Sequence, residues 1–231
     1  MKQSTSCGHG AKEEDHGTKD MAYDLEEQEQ IDAIKGWWTE YGKLVMLVVI
    51  AFLITIAAFQ GWRYYRAQQT ERAATLFSQL DEAERASDPK RVRDIAAQII
   101  DKYASTQYAG MAALAAAKAG VSTGEIEEAK KNLQWAVDRA KDEDMRAVAR
   151  LRLAGALLDE KKYDEALKVL AVKTGDAYAM LYADLRGDVL AAQGKAAEAR
   201  AAYQLALDKS DTGSSYRRLI DLKLDALGET K

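Results

Sequence analysis

The sequence predicts an all-α protein: an N-terminal transmembrane helix followed by a tetratricopeptide-repeat-like solenoid of paired helices and a C-terminal capping helix. Residues 44–62, LVMLVVIAFLITIAAFQGW, carry no charge. The 231-residue chain holds a single proline and long stretches of Ala, Leu, Glu, Lys and Arg, the residues that lose least on entering a helix. A pattern of small and large residues in 151–170 also returns at an offset of 33 in 184–203.

Taken in chain order, residues 1–20, MKQSTSCGHGAKEEDHGTKD, lack apolar periodicity and are rich in Gly, Ser, Thr and charge. Such a composition buries too little to offset chain entropy, and the segment reads as a disordered tail or an upstream extension ahead of Met21. Cys7, His9 and His16 are three candidate ligands at irregular spacing, short of a closed zinc site, so no metal is expected. Polar residues precede Cys7, which excludes a lipoprotein signal. Residues 21–43 form a juxtamembrane segment. Within it Leu25, Gln28, Ile31, Asp32, Ile34, Lys35 and Trp38 fall along one side of a modestly amphipathic helix, a solvated face or a docking surface.

A helix over 44–62 rises about 28 Å at roughly 1.5 Å per residue, close to the bilayer's hydrocarbon thickness. Trp37, Trp38 and Tyr41 precede it and Trp62, Tyr64 and Tyr65 follow it, placing amphipathic rings at both headgroup levels. The run exceeds a cleavable signal core and has an acidic leader, so it reads as an uncleaved signal anchor. Ala57 and Gly61 form a small-xxx-small pair able to seat another helix. Lys35 and Lys43 stand before the span and Arg63, Arg66 and Arg72 after it. The count alone leans toward a cytoplasmic C-terminus, although large domains translocate largely regardless of charge.

Beyond the span the offset of 33 aligns Ala154 with Gly187, Leu157 with Leu190, Lys161 with Gly194, Ala166 with Ala199 and Leu170 with Tyr203. These are the small, large, turn, small and large positions of a tetratricopeptide repeat, in which small residues let antiparallel helices approach and large ones fill the groove between them. Ala129, Leu133 and Ala136 repeat the second-helix signature after a longer turn containing Gly120 and Gly124. Ala96, Ile100 and Tyr103 form a fainter copy after Ser87, Asp88 and Pro89. The repeat-like domain therefore covers 63–228. Helices are expected over 66–87, continuing the membrane helix, then near 90–103, 106–120, 125–141, 143–160, 163–172, 176–193 and 196–209. The last, from Ser214, caps the array with Tyr216, Leu219, Ile220, Leu222 and Leu227.

Composition and spacing exclude several function classes. A net charge of −4 without a basic stripe argues against nucleic acid. Both histidines lie in the tail, leaving no histidine base for a nucleophile in the folded region. The glycines sit at helix turns and form no phosphate-cradling loop, so neither catalysis nor a cofactor is expected. The first helix of each pair should line a concave, protein-binding surface with Val148, Leu151, Gly155, Leu158, Asp159, Leu181, Asp184 and Asp188. A C-terminal carboxylate would need Lys, Arg or Asn there. Leu151 and Gly155 cannot supply such a clamp and Asp184 and Asp188 would repel the anion. An extended or helical polypeptide held by apolar contacts fits better; the same positions would also serve to pack neighbouring helices.

The leader EEQEQIDAIKGWW, the exit GWRYYR, the segment YASTQYAGMAALAAAK and the ending YRRLIDLKLDAL resemble the YfgM family of bacterial inner-membrane proteins. The resemblance implies a single-pass protein with a cytoplasmic N-terminus, a periplasmic repeat domain, and association with the SecYEG translocon and the periplasmic chaperone PpiD. It further implies an adaptor that passes exported polypeptides onward. The alternative expectation is an envelope-stress regulator acting on a response regulator through the N-terminal segment.

Overall fold

The computed structural model describes residues 17–211 and 213–228, with side chains from residue 31 onward. Among them are nine helices and no strand: α1 Gly17–Arg85, α2 Pro89–Lys102, α3 Gln107–Thr123, α4 Ile126–Arg139, α5 Glu143–Asp159, α6 Tyr163–Leu170, α7 Asp176–Ala192, α8 Ala196–Asp208 and α9 Ser215–Ala226. The chain divides into two units, one ending at Tyr64 and one beginning at Tyr65. Of the tail, residues 1–16, with Cys7, His9 and His16, lie outside the described residues, whereas Gly17–Asp20 are helical.

In the first unit the apolar run is exposed on every side, and from residue 31 onward only Gly42 is buried, against the ring of Trp38. A helix apolar all round, with none of the described residues covering it, is matched to lipid. Thr55, the one hydroxyl of the span, donates to Ala51 O at 2.8 Å, so it enters hydrocarbon already satisfied. Trp37 lies 6.0 Å from the Tyr41 ring and the Arg63 guanidinium 5.9 Å from the Phe59 ring.

The second unit is a stack of helix pairs joined by one recurrent turn. Ser87, Lys161, Gly124 and Gly194 take φ values of 53°, 60°, 80° and 75°. The next residue in each case closes a six-residue loop: Asp88 N–H to Ala83 O, Glu125 N–H to Gly120 O, Lys162 N–H to Leu157 O and Lys195 N–H to Leu190 O, all 2.8–3.0 Å. This is the Schellman stop, which satisfies helix-end carbonyls and reverses the chain. The residue that ends one helix also starts the next, donating to the first and accepting into the second; Asp88 adds a side-chain cap to Arg91 N–H at 3.0 Å with Pro89 behind it. Gly120 differs from expectation. It lies inside α3, which runs on to Thr123, and the turn is no longer than its counterparts. A Cβ at Gly120 would stand 3.2 Å from Ala129 Cβ, so its smallness serves helix approach.

Cores fill between the pairs. Leu80 and Ala83 of α1 meet Val92, Ile95 and Ile99 of α2 and an alanine face of α3. Leu133, Leu153, Leu157, Leu170 and Val189 link α4 to α7. Tyr203, Leu207 and Ile220 join α8 to α9.

Candidate polypeptide-binding groove

Odd-numbered helices form the inner wall. α3 packs on α5 and α5 on α7, whereas α4, α6 and α8 pack chiefly on their chain neighbours. Close first helices and splayed second helices make the first-helix side concave, as in other helical solenoids.

The left-handed turn residue supplies a common register. Thirteen residues before it stand Ala74, Met111, Val148 and Leu181, half-buried in all four pairs. Ten residues before it stand Phe77, Leu114, Leu151 and Asp184; six before it, Asp81, Lys118, Gly155 and Asp188. The first row is apolar from end to end. The second is apolar until its last member, with Leu114, Leu151 and the nearby Leu158 resting on the core beneath. Gly155 leaves a gap in the third row, since a Cβ placed there meets nothing within 4 Å. Asp159 is exposed at the end of α5.

Asp184 and Asp188 depart from the expected picture. Asp184 is 3% exposed. It accepts from Tyr216 Oη at 2.9 Å and from Lys223 Nζ at 2.9 Å, while Asp188 accepts from Lys223 Nζ and Tyr203 Oη at 2.8 Å each. Helix α9 occupies the place of a further first helix, and these carboxylates hold that cap. Burial pushes the Tyr216 phenol up to about 12, assisted by its bond to Asp184. Burial pulls Lys223 down, but Asp188 and Asp184 outweigh it and hold its ammonium above the ordinary value.

Other polar pairs act within and between the helices. The buried Lys130 of α4 bonds Glu127 and Glu160 at 2.7 Å, and those bonds to Glu127 and then Glu160 raise its pKa. Arg150 of α5 bonds Glu143 at 2.8 Å; with Arg146 it lowers the Glu143 pKa. Tyr182 of α7 donates to Ala147 O of α5 at 3.1 Å. Among the described residues no cluster of three His, Cys, Asp or Glu could hold a metal ion.

Ala74 and Met111 were not singled out in the sequence. The repeat register would have found them had the turns at Ser87 and Gly124 been aligned with those at Lys161 and Gly194.

A family model described as a tetratricopeptide repeat-like domain matches residues 35–229. Proteins named ancillary SecYEG translocon subunit are similar along nearly their whole length: one from Neisseria gonorrhoeae is 32% identical over 90% of this chain and 100% of its own. One from Escherichia coli is 31% identical over 87% and 96%, and one from Haemophilus influenzae 29% over 90% and 100%. The chain belongs to the YfgM family. In this member the matched region opens ahead of the uncharged run, so span and repeats fall within one family domain. One apolar helix near the N-terminus among the described residues and relatives named as translocon subunits make it a single-pass inner-membrane protein. The family's repeat domain and the relatives' names belong to no known enzyme class.

Proposed function

We propose that this protein is a membrane-anchored adaptor of the Sec translocon whose repeat domain stands in the periplasm, N-terminus in the cytoplasm, and links export to periplasmic chaperones. The observation that carries the reading is the apolar row Ala74, Met111, Val148 and Leu181, half-buried and aligned across four first helices. Such a row grips an extended or helical polypeptide through apolar side chains, without a charged clamp. Relatives named as translocon subunits supply the location, and by family resemblance PpiD is the chaperone and an emerging exported chain the guest. The candidate contact residues are Val148, Leu151, Gly155, Leu158, Asp159 and Leu181, joined by Met111.

Affinity purification from gently solubilised membranes at native expression is the test. Translocon subunits and a periplasmic chaperone are expected with the full chain, and the chaperone alone is expected to decline in a Val148→Glu/Leu181→Glu variant. Recovery of neither from the unmodified chain contradicts the adaptor reading. Loss of association on deleting residues 1–36, with the groove intact, would instead support a regulator working through its N-terminal segment.

A further inference from the structure

Among the described residues, four glycines lie inside helices of the second unit: Gly110, Gly120, Gly155 and Gly187. Glycine weakens a helix interior relative to alanine, so each calls for a physical reason. Packing supplies it for three. A Cβ would stand 3.0 Å from Met145 Sδ at Gly110, 3.2 Å from Ala129 Cβ at Gly120 and 2.5 Å from Tyr203 Cδ1 at Gly187. At Gly155 a Cβ meets nothing within 4 Å, and its φ is not positive. Neither a neighbour nor the backbone demands a glycine there.

The open position lies in the third row of the concave wall. Its register neighbours on α3 and α7 are charged, but each charge is already paired: Lys118 Nζ with Glu84 of α1 at 3.2 Å, and Asp188 with Lys223 of α9 at 2.8 Å. Along α5 the residues one turn away are Leu151 and Leu158 on one side and Arg152 and Asp159 on the other. The leucines are half-buried against the core, whereas Arg152 and Asp159 are exposed and of opposite sign. We propose that Gly155 is a specificity position, a recess in the groove wall that receives one large apolar side chain, leucine or aromatic, of the bound polypeptide. This deepens the groove reading above and rests on it. Without a Cβ, the guest side chain approaches the α5 backbone and covers Leu151 and Leu158. A charged side chain in the same place would lose water against the two leucines with no partner on that side.

The test uses the full-length chain in lipid nanodiscs. Gly155→Ala is expected to raise the urea midpoint, because the methyl enters open space within a helix; a lower midpoint would reveal a packing need for the glycine and overturn the proposal. Binding is read by fluorescence anisotropy with labelled Ser/Thr peptides that carry one central Phe, Leu, Ala or Lys. On the unmodified chain the Phe and Leu peptides should bind about tenfold tighter than the Ala and Lys peptides. Gly155→Leu, which fills the recess, should reduce that preference to less than about twofold and leave the affinity of the Ala peptide unchanged. Binding without preference, or a preference that survives Gly155→Leu, overturns the recess while the groove stands. Failure of every peptide to bind the unmodified chain contradicts the groove itself, and the recess with it.

Discussion

Single residues set the geometry of the helix pairs, and one glycine and one turn lysine show how. At Gly187 a Cβ would stand 2.5 Å from Tyr203 Cδ1, and that ring is pinned by its bond to Asp188 at 2.8 Å. Gly187→Ala should therefore destabilise the second unit by about 1–3 kcal/mol, the usual range for overpacking, read as a lower midpoint in urea. The turns offer the opposite case. Lys161 occupies the left-handed region at φ 60°, where an L side chain costs about 1–2 kcal/mol that glycine avoids. Lys161→Gly should raise the thermal midpoint, because its counterparts Gly124 and Gly194 already use glycine there. A fall would mean that the Lys161 side chain makes a compensating contact in solution. Gly194, Gly124 and the Asp88–Pro89 pair were legible in the sequence because each has a local physical signature. Lys161 carries none: only alignment with Gly194 marks it as a turn.

At the scale of the element, the cap is held by charge and hydrogen bonds as much as by Ile220. Removing the Lys223 ammonium leaves Asp184 buried without its counter-ion. Lys223→Met should loosen α9 by about 3 kcal/mol, seen as faster amide exchange in Ser215–Ala226 with little change in α3 to α5. Alkali should act on the same contacts. Both Lys223 and Tyr216 have pKa values raised on folding, so their contribution is complete below the ordinary values. It fades as pH rises from about 10 through the folded-state value near 12 for Tyr216. Near-ultraviolet circular dichroism should lose the tyrosine signal of the cap over that window, ahead of global helix loss; simultaneous loss would refute a separately held cap. The α9 helix was legible from its amphipathic pattern and its Ser214 cap. The destination of Asp184 and Asp188 was not, since a carboxylate on a first helix faces a groove or a packed neighbour depending on whether another helix follows. The sequence of α7 does not record which.

At the scale of the whole molecule, the fold was readable because its parts are local. The span follows from an uncharged run, the repeats from a period near the length of two helices, and a solenoid needs no long-range pairing beyond nearest neighbours. Core truncations should accordingly act regionally. Leu170→Ala, which empties a side chain 1% exposed in α6, should cost about 2–5 kcal/mol, read as exchange protection lost first in α5 to α7. Function was less legible than fold, because groove residues and packing residues are the same chemical types. The register of the four turns sets Ala74, Met111, Val148 and Leu181 in one row that is apolar throughout, and Phe77, Leu114, Leu151 and Asp184 in another that ends on an aspartate. The first row is the central claim, and a photo-activated cross-linking amino acid placed at Val148 in the membrane-bound chain tests it most directly. The expected result is adducts with periplasmic polypeptides at Val148, repeated at Met111 and Leu181 and absent at the exposed Lys131 of α4. Equal labelling at Lys131, or adducts at none of the three, would contradict a binding groove on the concave face.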